Sequence, residues 1–199
     1  ARVLAQGDKR MIGRIWTAYT VELAKALRQK YTYVGPLLVI LAVLAVLARQ
    51  LNFQEQAGGY GFILMATELA LHVLGMTMLL IYAAGLISGD LASGSIRVML
   101  VRPLRRHEYV FAKLLHGMTY AVLLTALAGA LSWGAAAAVG SLHGALYGGE
   151  LIHSGGAMLR AYLFGALLGL LPQWAAVSYA LCISACTRSP VAAACAALW

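Results

Sequence analysis

Glu68 and His72 stand four residues apart inside a long apolar run. On a helix that spacing sets a carboxylate and an imidazole on one face. An ionisable group near the centre of a membrane helix costs about 2.5–3.5 kcal/mol on insertion scales, so both must face protein or water. The functional reading is a polar point on a substrate or proton path, which Gln173 would share. A proton-coupled secondary transporter using Glu68 and His72 is the alternative function this pair supports. The structural reading is a mutually hydrogen-bonded pair near the outer headgroups, or a helix-helix contact.

Other reactive side chains carry less. Cys182 and Cys186 share a helix face at i, i+4 and could hold a soft metal, but small residues at that spacing more often pack. His143, Glu150 and His153 lie in a glycine-rich stretch without tight ligand spacing, so no metal site is assigned. No G-x-x-x-x-G-K-[ST] phosphate loop occurs anywhere in the chain. The three cysteines all lie in or beside apolar helices and imply no disulfide framework.

The most informative stretch is GDLASGSIRVMLVRPLRRHEYVFAK, residues 89 to 113. Arg97, Arg102, Arg105, Arg106 and Lys113 oppose Asp90 and Glu108, a net charge of +3 between two nearly uncharged runs. Asp90, Ser93 and Ser95 offer oxygens that can cap a new helix, and Ile96, Met99 and Leu100 recur at helical spacing until Pro103 stops them. The expectation is a short surface helix with one apolar and one cationic side, then a second helix climbing back into the bilayer.

The elements that must position these residues are membrane spans. The chain is 62% hydrophobic and 11% charged, well below the roughly 25% charged residues of soluble domains. Its net charge of +8 is gathered in blocks between apolar runs, which points to topology rather than to nucleic acid. Residues 9 to 30 place Ile12, Ile15, Trp16, Tyr19, Leu23 and Leu27 on one stripe, as in a helix lying in the interface. Residues 31 to 48 carry no charge and would span about 27 Å at 1.5 Å per residue. A second span is expected over 60 to 88. A third, over 114 to 139, is rich in small residues suited to close helix packing. Residues 140 to 157 read as an outer loop, and 158 to 186 as a fourth span bent at Pro172 behind Gly165-x-x-x-Gly169. Residues 190 to 199 open a fifth span expected to continue past Trp199. Thirteen of the fifteen Lys and Arg residues fall in the amino-terminal segment, the 89 to 113 link and the 187 to 190 link, which puts the amino terminus in the cytoplasm.

The order of ELAKALRQK before the first span, GDLASGSIRVMLVRPLRRHEYVFAKLL after the second and SACTRSP after the fourth resembles the membrane subunits of ABC-2 type (type V) ATP-binding cassette transporters. In that family the link after the second span carries an acidic residue, Gly-Thr, a short leucine-rich helix, Arg-Pro, an Arg three residues on and a Lys opening the third span. Asp90, Gly94 and Ser95, Ile96 to Leu100, Arg102 and Pro103, Arg106 and Lys113 stand in those places. Ser95 keeps the hydroxyl of the usual Thr, whereas Ala92 stands near the place of a second acidic residue.

The resemblance implies an all-α, polytopic transmembrane helix bundle with six spans, of which this chain holds four and the start of a fifth. It has an interfacial helix at its amino end. The cytoplasmic link is then a coupling helix docking into an ABC ATPase, with Asp90, Gly94, Ser95, Ile96, Arg97, Met99, Leu100, Arg102, Pro103, Arg106 and Lys113 as coupling residues. Two membrane subunits, alike or different, would pair with two ATPases. The chain itself would hold no cofactor and do no catalysis, ATP and Mg being bound by the partner. The expected setting is the cell (inner) membrane, and the expected multi-pass protein is an exporter.

Overall fold

In the computed structural model the described residues are 2–53, 59–94, 105–139, 142, 144–147 and 150–199. Helix α1 runs Arg2–Arg28, and a 3-10 turn, Lys30–Tyr33, leads into α2, Val34–Phe53. Next come α3, Gly59–Thr67, a π-wound segment, Glu68–Gly75, and α4, Met76–Ala92. Helix α5 covers Arg106–Val139, α6 covers Gly155–Cys186, and α7 covers Pro190–Leu198. Four stretches are long and apolar enough to cross a bilayer: Lys30–Leu51, Gly59–Ala92, Arg106–Ala138 and Gly155–Cys186. Leu37, Leu41, Phe164, Leu167 and Leu171 are exposed on them, the reverse of a soluble core and the expected surface toward lipid. The protein is an all-α, polytopic helix bundle.

The glycine-rich stretch departs from a plain loop. Strands β1, Gly144–Tyr147, and β2, Glu150–Ser154, form an antiparallel hairpin in which Gly144 pairs with Ser154 and Tyr147 with Glu150. Short apolar runs flank Gly148-Gly149 in the sequence, a composition favoured in two-residue hairpin turns. The small residues had masked that signal.

Two compact units make up the chain. The first comprises residues 1–33, 78–120 and 174–199. In it α4 and α6 meet through small residues: Ser184, fully buried, accepts from the backbone N–H of Ser88 at 2.9 Å and donates to the Ala84 carbonyl. At Gly117 an added Cβ would lie 2.6 Å from a Val177 methyl, so only glycine allows α5 this approach. Tyr82 stacks on Tyr120 with centroids 4.1 Å apart and shares a 2.7 Å hydrogen bond with His116 Nε2.

The second unit comprises residues 34–77 and 121–173. Val39, Ala42 and Val43 of α2 are buried, as are Phe62, Ile63, Ala66 and Ala70, and α2 packs on α3 and the π-wound segment. That segment has a local cause. The Met76 N–H reaches back five residues to the Leu71 carbonyl. A Cβ on Gly75 would stand 2.7 Å from the Ala70 carbonyl oxygen, so glycine is what lets the backbone wind this way. Thr67, next to the segment, bonds Tyr162 Oη at 3.1 Å and donates to Ser132 Oγ at 3.4 Å.

Candidate functional site

The basic link is flanked by two helix ends, and each end is built by a local rule. Helix α4 stops where Gly94 takes φ +68°, a left-handed conformation open to glycine, and its N–H bonds the Leu91 carbonyl at 3.2 Å. Helix α5 starts where the Glu108 carboxylate accepts the Arg105 N–H at 2.9 Å, an acidic side chain satisfying an orphan donor of the first turn. Ser95 to Leu104, and with them Ile96, Arg97, Met99, Leu100, Arg102 and Pro103, lie outside the described residues. Arg106 opens α5 and is exposed.

Asp90 is bonded on the bundle side of the link. It sits in the last turn of α4, 4% exposed, where Lys113 Nζ approaches its Oδ2 at 2.6 Å and Tyr109 Oη donates to the same oxygen at 2.7 Å. Lys25 pairs with the other carboxylate oxygen. Lys113, one turn below Tyr109 on α5, is fully buried and also donates to Glu22 Oε2 of α1 at 2.6 Å. Two carboxylates and two ammonium groups from three helices thus neutralise one another, with Glu22, Asp90 and Lys113 buried and Lys25 partly exposed. Burying such charges is costly unless they are paired and bonded. They line a cavity of about 370 Å³ together with Gln29, Tyr31, Tyr82 and His116. Asp90 and Lys113 are therefore buried groups that fasten the helices on either side of the link to α1.

Sequence reasoning passed over Glu22, Lys25 and Tyr109. Glu22 and Lys25 are spaced as an ordinary i, i+3 surface pair on a basic helix, yet each reaches to a different helix. The one available signal was a carboxylate set among the apolar and basic residues of the carboxy-terminal half of that helix. Trp16 and Leu27 of that helix are 61% and 60% exposed.

The second unit holds a separate cleft of about 400 Å³. His72 and Gln173 both line it, but Glu68 does not. The π winding leaves Glu68 and His72 exposed, and no hydrogen bond among the described residues joins them. The mutually bonded pair is thus replaced by one cleft residue and one outward carboxylate. Gln173 Oε1 accepts from Thr125 at 3.1 Å. Trp133 stands edge-on between Tyr60 and Tyr162, with centroids 6.1 and 5.8 Å away. Pro172 lies on this wall, inside α6.

Cys182 and Cys186 are exposed free thiols, and the described residues contain no group of three or more His, Cys, Asp or Glu able to hold a metal ion. His153 is exposed, Glu150 belongs to β2, and His143 lies outside the described residues.

A sequence profile described as ABC-2 family transporter protein matches residues 16–199. The chain belongs to the ABC-2 family. No curated protein matches it. Membership makes the ABC-2 chain a membrane component of an ATP-binding cassette transporter, a permease that is not itself catalytic and works with ABC ATPase subunits. In this ABC-2 chain the ion cluster joins the two helix ends that flank the basic link.

Proposed function

We propose that the chain is the permease subunit of an exporter driven by ATP that a separate ABC ATPase binds with Mg and hydrolyses. Two membrane subunits and two ATPases form the complex in the cell (inner) membrane, with the amino terminus and the 89 to 113 link in the cytoplasm. Residues 94 to 101 dock in the ATPase, with Ile96, Met99 and Leu100 as anchors and Arg97, Arg102 and Arg106 meeting acidic side chains or lipid phosphate. Closure of the ATPases moves this helix and tilts the spans on either side, opening a path that includes His72 and Gln173, with Glu68 facing the partner membrane subunit or water.

The observation that supports this reading is the ion cluster of buried Glu22, Asp90 and Lys113 with partly exposed Lys25, which ties α1 to the last turn of α4 and the second turn of α5. A push delivered between those helix ends cannot be absorbed by loose termini, because both ends are bonded to a common carboxylate and ammonium pair. The test is purification of the intact complex with a cysteine placed at Leu100. A disulfide or short crosslink from that position to an ATPase chain is expected, and its absence in an assembled complex would remove the link from the docking role.

A further inference from the structure

We propose that the cleft of the second unit binds an uncharged amphipath of drug size, with an apolar or aromatic body and a carbonyl-type hydrogen-bond acceptor. This deepens the permease reading only in taking the ligand from the bilayer, and it needs no ATPase. The volume, about 400 Å³, lies within the range of small-molecule sites. The walls are apolar and aromatic, and no Asp, Glu, Lys or Arg lines them. A charged ligand entering here would lose its hydration and meet no counter-ion.

The polar groups are few and point to an acceptor on the ligand. With its oxygen taken by Thr125, Gln173 has its NH2 to offer, and His72 adds a ring nitrogen at the same cleft. The edge-on stack of Tyr60, Trp133 and Tyr162 gives a rigid face against which a flat ring can lie. Gly165, Gly169, Pro172 and Gln173 share one face of α6 with Tyr162. A Cβ built on Gly165 or Gly169 meets nothing within 4 Å, so these glycines are not required for packing among the described residues, and their missing side chains are part of the room in the cleft.

The full chain in nanodiscs, without ATPase, is to be titrated with benzophenone, a neutral aromatic ketone, irradiated, and mapped by mass spectrometry. Saturable labelling of the 59–76 and 158–173 peptides is expected. Gly169→Leu, which fills the cleft and favours the helix, should weaken half-saturation by about tenfold or more. Gln173→Leu should weaken it about threefold to tenfold, the loss of one hydrogen bond. The anion 4-benzoylbenzoate should label at least about tenfold more weakly. Competition by excess diacylglycerol would identify a neutral lipid as the occupant, and its failure to compete a diffusible aromatic compound. Unsaturable labelling spread over lipid-facing Phe164 and Leu167, equal labelling by the anion, or an unchanged titration in Gly169→Leu and Gln173→Leu proteins that melt like the parent would overturn the proposal. Such a failure would leave the crosslink from Leu100 to the ATPase unaffected, so the two readings fall separately.

Discussion

Lys113 Nζ lies 2.6 Å from Asp90 Oδ2, joining the second turn of α5 to the last turn of α4 across the basic link. Both groups are almost fully buried, so the contact acts in a low-dielectric setting and its partners cannot be exchanged for water.

Breaking this pair from one side should be severe. Lys113→Met leaves Glu22 and Asp90 facing each other without their shared cation, a loss of about 3–5 kcal/mol by analogy with other buried ion pairs. Thermal unfolding in detergent should show a large fall in midpoint. The triple change Glu22→Gln, Asp90→Asn, Lys113→Met removes the three buried charges, leaves only the partly exposed Lys25, and should recover most of that fall. If Lys113→Met alone melts like the parent, the cluster does not hold the helix ends.

The π-wound segment should depend on one glycine. Gly75→Ala puts a methyl 2.7 Å from the Ala70 carbonyl oxygen, and the backbone must rewind or the helix shift. A loss of about 1–3 kcal/mol is expected, as for overpacked positions. Gly169→Ala is the control, because its Cβ meets open space and the change favours the helix. Equal melting of the two variants would show that the winding does not need Gly75.

Glu68 separates an ATP-driven permease from a proton-coupled one. It is exposed and outside the cleft, so Glu68→Gln should leave membrane-stimulated ATP hydrolysis within about twofold of the parent. Collapse of the proton gradient in proteoliposomes should likewise have little effect on ATP-dependent transport. Loss of transport on either treatment, with ATP present, would favour the proton-driven mechanism.

Much of this architecture was legible in the sequence. Apolar length and the absence of charge mark the spans without any tertiary information, because the bilayer imposes both. The helix ends beside the link were less legible: α4 runs on to Ala92 and α5 begins at Arg106, beyond the uncharged runs that mark the spans. Pairing was not legible. Which helix Glu22 would meet depends on three-dimensional packing, and its neighbour Lys25 offered a local partner that the fold declines. The π winding was hidden for the same reason: Gly75 reads as a packing glycine until the Ala70 carbonyl is seen beneath it. The Thr125 to Gln173 bond likewise joins residues far apart in the chain.

The most direct measurement of the central claim is ATP hydrolysis by the partner ATPase reconstituted with this chain carrying Arg97→Glu and Leu100→Asp. These changes reverse one cation and put a charge on the apolar side of the link, far from the buried cluster in chemistry if not in sequence. The expected result is an assembled membrane subunit with parental melting whose stimulation of the ATPase is abolished. Undiminished stimulation by that variant would contradict the assignment of residues 94 to 101 as the point where nucleotide-driven motion enters the membrane.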